Sequence, residues 1–305
     1  MSETGATAAT RCGFVALIGA PNVGKSTLVN ALVGSKVTIV SRKVQTTRAL
    51  IRGIVVENNA QIILVDTPGI FAPKRRLDRA MVSTAWSGAH DADLVCALLD
   101  ARAGVDDEAD VILTKLAGVA HPKILVLNKI DLVPREKLLA LASAANGRMA
   151  FEDTFMVSAL SGDGVDDLRR ALAERVPEGP FHYPEDQMSD APLRHLAAEI
   201  TREKIYRHLH QELPYQSTVE TDTWTERNDK SVRIEQTIFV ERDSQRKIVL
   251  GKNGATIKAI GADSRKEIGE ILGQPVHLFL FVKVRENWGD DPNRYREMGL
   301  EFPKK

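Results

Sequence analysis

The stretch "GFVALIGAPNVGKST", residues 13–27, constrains this chain more than any other. A short apolar run breaks into Gly19-x-x-x-x-Gly24-Lys25-Ser26, and "KSTLVNALVG" continues with helical spacing. A glycine loop between a strand and a helix turns successive backbone N–H groups, and the helix N-terminus, toward one point that suits an anion. Lys25 adds a charge for the β- and γ-phosphates of a nucleotide, and the Ser26 hydroxyl adds a hard oxygen for Mg²⁺. A plain strand-to-helix turn would not call for Lys-Ser after the second glycine. Gly19, Ala20, Pro21, Asn22, Val23, Gly24, Lys25, Ser26 and Thr27 are therefore expected to cradle phosphates.

The surrounding pattern fits such a loop. "QIILVDTPG" (61–69), "DLVCALLDA" (93–101), "KILVLNKID" (123–131) and "TFMVSA" (154–159) are further short apolar runs, each closing on polar residues, with helical stretches such as "VDDLRRALAERV" between several of them. Near-continuous apolar strands alternating with helices predict an α/β domain with a doubly wound, mostly parallel sheet. Ligands of such sheets gather at the carboxyl ends of the strands, where these polar residues fall.

Three of those endings carry chemistry. In "DTPG", Asp66 suits a contact to Mg²⁺ or its shell and Gly69 lets its N–H approach a γ-phosphate; Thr67, Pro68 and Ile70 are expected to line the nucleotide with them. In "NKID", Asn128 and Lys129 lead to Asp131, whose carboxylate can accept from both N1–H and the 2-amino group of guanine. Adenine has an acceptor at that ring nitrogen and no 2-amino group, so Asp131 would lack a partner; selectivity for guanine follows. "SAL", Ser158, Ala159 and Leu160, offers the Ala159 N–H to guanine O6. With all four elements in order at strand ends, the site is read as one for GTP and GDP with Mg²⁺. Between the first and second lies "SRKVQTTRALIRG" (41–53), a polar loop in which Thr46 or Thr47 is expected to ligate Mg²⁺ when the γ-phosphate is present, Thr47 being preferred. The metal set is then Ser26, Thr47 and Asp66, and the catalytic set Lys25, Thr47 and Gly69. Ile70 stands where Ras-like GTPases have a water-orienting glutamine, so basal hydrolysis is expected to be slow.

Bulk properties add limits. The 305 residues suffice for two domains; 43% are hydrophobic, 27% charged, and the net charge is zero, so any nucleic-acid site must be local. Cys12 and Cys96 form neither a disulfide framework nor a CxxC metal site and are expected to be free thiols in a reducing cytosol. "MSETGATAATRCG" has no apolar stretch of the signal-peptide kind, no run approaches the ~18 apolar residues of a membrane span, and no metal cluster is expected. Residues 1–11 are read as a disordered tail, 12–176 as the nucleotide domain, 177–192 as a linker on the strength of its four prolines, and 193–305 as a second domain.

That second domain reads as a helix, alternating strands, a further glycine loop with flanking helices, and a strand "VHLFLFVKVRE". Its loop, "VLGKNGATIKAIG", is too short between glycines for a second phosphate loop and lacks Lys-Ser. It fits the GXXG element of a KH domain, which clamps the backbone of a few single-stranded nucleotides. From Arg242 to Lys266, seven Lys or Arg stand against two Asp, a local basic patch that the whole-chain charge conceals. Arg246, Lys247, Gly251, Lys252, Asn253, Gly254 and Lys258 are the expected RNA contacts. His195, His208 and His210 are read as helix-surface residues, and Phe279, Phe281 and Trp288 as core.

Taken together, "GAPNVGKST", "KVQTTR", "DTPG" and "NKID", followed by "ELPYQSTVE" and "VLGKNGATIKAIG", resemble the Era family of bacterial GTPases over nearly everything after Arg11. A GTPase joined to a C-terminal KH domain is more specific than either motif. The resemblance implies a P-loop GTPase domain followed by a smaller α+β KH domain of type II topology, binding of the 3′ end of 16S ribosomal RNA, and a part in 30S assembly. It also implies a cytoplasmic protein with peripheral contact at the inner face of the cell membrane; a monomer is expected. Two other classes compete. One is a constitutive RNA-binding module whose GTP site only stabilises the fold. The other is a GTPase of tRNA modification, which shares the Thr-Thr-Arg loop but carries a C-terminal cysteine, whereas this chain has none after Cys96.

Overall fold

The computed structural model describes residues 9–43, 45–209, 213–286 and 288–303; His210 and the first eight residues of the expected tail lie outside them. The chain forms two compact units. One takes the chain up to Val37, Thr47–Pro73 and Met81–Asp190; the other takes Thr38–Thr46, Lys74–Ala80 and the chain from Ala191 onward.

The first unit is built on strands β1 (Arg11–Ile18), β2 (Ile51–Glu57), β3 (Ala60–Asp66), β4 (Leu94–Asp100), β5 (Lys123–Asn128) and β6 (Asp153–Val157), with helices α1 (Lys25–Val33), α2 (Arg76–Asp91), α3 (Asp107–Leu116), α4 (Arg135–Asn146) and α5 (Val165–Arg175) between them. The strand order is β2-β3-β1-β4-β5-β6, parallel except for the β2–β3 pair. Successive residues of β1 face opposite sides, and both sides are covered. Val15 and Leu17 pack with Leu28 and Leu32 of α1 and Leu168 and Leu172 of α5. Ala16 and Ile18 pack with Ala85 and Ala89 of α2 and Ile112 and Leu113 of α3. Double burial explains why these strands read as unbroken apolar runs. The order reverses on either side of β1, so the crevice beyond its carboxyl end is where a ligand enters.

Two departures from the sequence reading lie here. Arg11, assigned to the tail, opens β1, and Arg11 N–H donates to Asn59 O at 2.9 Å. The last three residues of the expected mobile loop, 51–53, open β2, which forms a hairpin with β3 through Asn58-Asn59, with Asn58 at φ +54°. Residues 177–190, rich in proline, are bound along this unit. Ile54 N–H donates to Met188 O, and the buried Gln61 side chain meets both backbone N–H groups of His182 and Tyr183 and the Tyr183 carbonyl. Cys12 and Cys96 are free and buried, and burial raises both thiol pKa values.

In the second unit the order is α6 (Leu193–His208), β7 (Ser217–Glu226), β8 (Val232–Val240), α7 (Asp243–Leu250), α8 (Ala255–Leu272) and β9 (Val276–Val284), with a short α9 (Pro292–Glu297) near the end. The α-β-β-α-α-β order with sheet β7-β8-β9 is that of a type II KH domain; β7–β8 is antiparallel and β8–β9 parallel. Ile205 of α6, Val249 of α7, Ile260 of α8 and Ile238 of β8 share one core. Trp288 is buried as expected, and its indole N–H donates to Gln216 O at 3.0 Å. Phe279 and Phe281 are not core: they are 42% and 47% exposed on the face of β9 opposite Leu278 and Leu280. His195 and His208 are half-buried on α6, and His208 meets Asp263 at 2.7 Å.

Candidate nucleotide and nucleic-acid sites

β1 ends at Ile18, and the next helical residue is Lys25, so residues 19–24 form a loop over the carboxyl edge of the sheet. Gly24 closes it at φ +98°, and a Cβ there would lie 2.3 Å from the Asn128 amide nitrogen. No side chain caps α1, which leaves its first N–H groups directed at the loop. Pro21 and Asn22 form the outer rim, Val23 is buried in the core, and Thr27 is half-buried in the first turn.

Lys25 is 6% exposed, and its ammonium donates to Gly19 O at 3.0 Å and Ala20 O at 2.9 Å. Burial lowers its pKa to about 8, with the nearby Asp66 carboxylate opposing the shift. A phosphate in the loop would add a second negative charge close to this ammonium.

Beside it three oxygens converge. Ser26 Oγ donates to Asp66 Oδ2 at 2.7 Å, Thr47 Oγ1 donates to the same oxygen at 3.1 Å, and the two hydroxyls are 3.0 Å apart. Two hydroxyls and a carboxylate are the hard-oxygen set that suits Mg²⁺. Thr46 is directed elsewhere: its hydroxyl donates to Lys43 O at 2.7 Å. Thr67 ties the end of β3 to β1 through Leu17 O at 2.6 Å, Pro68 is buried, and Gly69 lies directly against Pro21. Ile70 N–H donates to Gly19 O, and its side chain is buried with Ala16 and Ile18.

Asn128, at the end of β5, is a structural hub. Its amide donates to Val23 O at 2.8 Å, and its carbonyl accepts from Lys129 N and from Ala159 N at 3.0 Å. The Ala159 amide expected to meet guanine O6 thus meets Asn128 here. Lys129, at φ +65°, donates to Asn22 O and pairs with Asp100 at 2.7 Å. Burial works to raise the Asp100 pKa, but hydrogen bonds from Arg102 and Lys129 hold it at about 2. Neither Asp100 nor Arg102 was among the expected site residues, although Asp100 closes a strand in the way Asp66 does. Asp131 is exposed, Ser158 is buried and accepts from Ser161 N–H, and Leu160 is 85% exposed.

The second glycine loop joins α7 to α8. Gly251 adopts φ +73°, and a Cβ there would lie 2.2 Å from Thr256 Oγ1 and 2.8 Å from Thr256 N. Asn253 and Gly254 follow at φ +53° and +76°, and α8 begins without a side-chain cap. Lys252, Asn253 and Lys258 are exposed; Arg246 and Lys247 are exposed and pair loosely with Asp243 at 3.5 and 3.4 Å. Exposed pairs of this kind yield readily to a phosphate.

Residues 14–129 match the family described as 50S ribosome-binding GTPase, and residues 212–289 match the KH domain family. GTPase Era of Bradyrhizobium sp. (strain ORS 278) is 86% identical over 296 residues, 97% of this chain and 96% of the relative. The chain belongs to the Era family of GTPases. GTPase Era of Rhizobium meliloti (strain 1021) is 68% identical over 97% of this chain and 94% of its own. A structure of Era in complex with MgGDPNP and nucleotides 1506–1542 of 16S ribosomal RNA superposes with a TM-score of 0.90 at 37% identity, covering 95% of this chain and 99% of that one. A single-residue variant of Aquifex aeolicus Era bound to GDP·AlF4⁻ superposes equally well.

Proposed function

We propose that this GTPase is a nucleotide-driven switch whose KH domain binds the 3′ region of 16S ribosomal RNA and which assists assembly of the 30S subunit. The convergence of Ser26, Thr47 and Asp66 within 3.1 Å of one another, beside the buried Lys25, carries the reading. The chain binds GTP and GDP with Mg²⁺. Lys25 and the N–H groups opening α1 hold the β- and γ-phosphates, Asp131 selects guanine, and Asn128 braces the loop against the base-binding strand end. Ser26 and Thr47 would hold the metal, with Asp66 orienting both hydroxyls. A Mg²⁺ ion held there would supply positive charge against the phosphates. Gly69 brings its N–H toward the γ-phosphate. With Ile70 in the core in place of a water-orienting side chain, basal turnover falls in the slow intrinsic range, roughly 10⁻⁴ to 10⁻² s⁻¹.

The functional domains in this reading are 12–176 for GTP and 193–305 for RNA. Gly251, Lys252, Asn253 and Gly254 clamp the RNA backbone, and Arg246, Lys247 and Lys258 supply charge along it. The complex of an Era with MgGDPNP and 16S nucleotides supports the partner. No helix among the described residues is long and apolar enough to cross a membrane; a cytoplasmic monomer touching the inner membrane face only peripherally completes the proposal. Crosslinking in cells followed by sequencing of the bound RNA tests it. Enrichment of the 3′ end of 16S RNA is the expected outcome, and a scatter of unrelated RNAs would reject it.

A further inference from the structure

The second unit includes Thr38–Thr46, part of the loop that leads to the metal-facing Thr47. Ile39 of this segment is 1% exposed and packs among Leu196, Ala197 and Ile200 of α6. Val40 N–H donates to Glu203 Oε1 at 2.9 Å, and the Lys43 ammonium donates to Leu209 O. Arg202 of α6 is the central anchor. Its side chain is 1% exposed, and each of its five N–H donors has an acceptor. Glu199 receives Nε at 2.8 Å and Nη2; Tyr206 OH receives Nη1 at 3.2 Å; Gln45 O receives Nη1 at 3.4 Å; Thr46 O receives Nη2. Tyr206 OH in turn donates to Gln45 O at 3.1 Å.

We infer that Arg202, seconded by Tyr206, is a positioning residue for Thr47, acting through the carbonyls of Gln45 and Thr46. The inference deepens, and rests on, the switch reading above. The peptide between Thr46 and Thr47 is planar, so a guanidinium that holds Thr46 O also fixes the plane that carries Thr47 N and Cα. Thr47 then reaches Ser26 and Asp66 at 3.0 and 3.1 Å. Gln45 sits at φ +61°, a conformation that persists because both its ends are held. Its carbonyl faces Arg202 and Tyr206, and its side-chain amide donates to Asp78 Oδ1 at 2.8 Å. Asp78 Oδ2 accepts from the N–H groups of Lys74 and Arg75, a few residues beyond Gly69. Gln45 therefore ties the 74–78 segment, through Asp78, to the same carbonyl that Arg202 and Tyr206 of α6 hold. Withdrawing the loop leaves buried charged donors without partners, which is costly. That cost is what lets α6 sense whether Thr47 is engaged.

The test uses the full chain and three variants, Arg202→Met, Arg202→Lys and Tyr206→Phe. Affinities for GDP and for a non-hydrolysable GTP analogue with Mg²⁺ are measured with and without a 3′-terminal 16S RNA fragment, after thermal unfolding and GDP binding have established that each variant folds. Arg202→Met is expected to weaken analogue binding about tenfold, leave GDP within about twofold, and remove the effect of RNA on analogue affinity. Tyr206→Phe should lose roughly two- to threefold for the analogue alone and carries the test if Arg202→Met does not fold. Arg202→Lys should recover part of the loss, since it restores charge without the fork. Unchanged analogue affinity in the variants, or equal loss for GDP and the analogue, would overturn the inference. A wild-type chain whose analogue affinity ignores RNA would instead overturn the switch reading, while the ratio of analogue to GDP affinity still tests Arg202.

Discussion

The two glycine loops solve related problems with opposite surroundings. Both open a helix that has no side-chain cap, and both hold residues at positive φ, Asn22 and Gly24 in one and Gly251, Asn253 and Gly254 in the other. The first has a buried lysine opening its helix and is backed by strand ends that bring a buried aspartate and the Asn128 hub against it. The second has exposed lysines and an exposed asparagine, with Gly251 set against Thr256 and hydrogen-bonded to Lys247 O. A crowded loop can select one small anion, its metal and its base. An open loop can only follow a polymer's backbone. Convergent strand ends, rather than glycines, are what turn a phosphate loop into a nucleotide site.

Removing the buried charge breaks the first arrangement most severely. Lys25→Ala should lower GTP affinity at least about 100-fold, on the order of 3 kcal/mol, with RNA binding by the GXXG loop in the absence of nucleotide preserved. Isothermal titration with GTP and with RNA checks both; retained GTP affinity would contradict the role of Lys25.

The contrast is sharpened by base choice, which only the first loop should show. Asp131→Asn replaces an acceptor with a group that can donate, so GTP binding should fall roughly 10- to 100-fold while xanthosine triphosphate binding rises. Competition binding with both nucleotides measures the exchange, and normal GTP affinity without any gain for the xanthine nucleotide would remove Asp131 from the site.

A smaller effect follows from pH. Lys25 has a folded pKa lowered from 10.5 to about 8, so between those values the folded chain binds fewer protons than the unfolded one, and this group makes stability rise with pH. Phosphate affinity should move the other way. Above about pH 8 the empty site has lost the proton that binding must restore, and GTP affinity should fall by up to about tenfold per unit. Titrations in buffers of different ionisation enthalpy should show proton uptake on GTP binding at pH 9, and none at pH 7.

Much of the nucleotide site was legible because its chemistry lies in contiguous motifs at strand ends, where apolar runs mark the scaffold and the polar residues that follow mark the ligand. The doubly wound sheet followed from the same runs. What escaped depends on pairs distant in sequence. The Asp100–Lys129 pair and the Gln61 contacts to residues 182–183 have no local signal. The edge strand β2 was concealed by reading a polar loop through to Gly53, although "IRGIVVE" and "AQIILVD" around Asn58-Asn59 form a hairpin pattern. In β9, "VHLFLFV" is apolar on both faces, so alternation could not say that Leu278 and Leu280 turn inward while Phe279 and Phe281 stay exposed. Nor could composition assign Thr38–Thr46 to the second unit, because Ile39 and the Arg202 acceptors become meaningful only once α6 is in place.

A switch exists only if the occupant of the first loop changes the affinity of the second. RNA affinity should be measured for the wild type and for the double variant Lys252→Asp/Asn253→Asp, each with GDP and with a non-hydrolysable GTP analogue. The wild type should bind RNA more tightly with the analogue, by about 5- to 150-fold for a coupling of about 1–3 kcal/mol, and RNA should strengthen analogue binding by the same factor. The double variant should lose RNA binding in both states while keeping its nucleotide affinity, because two carboxylates then stand where phosphates approach. Equal wild-type affinities in the two nucleotide states would contradict the switch, and undiminished RNA binding by the variant would contradict the second loop as the clamp.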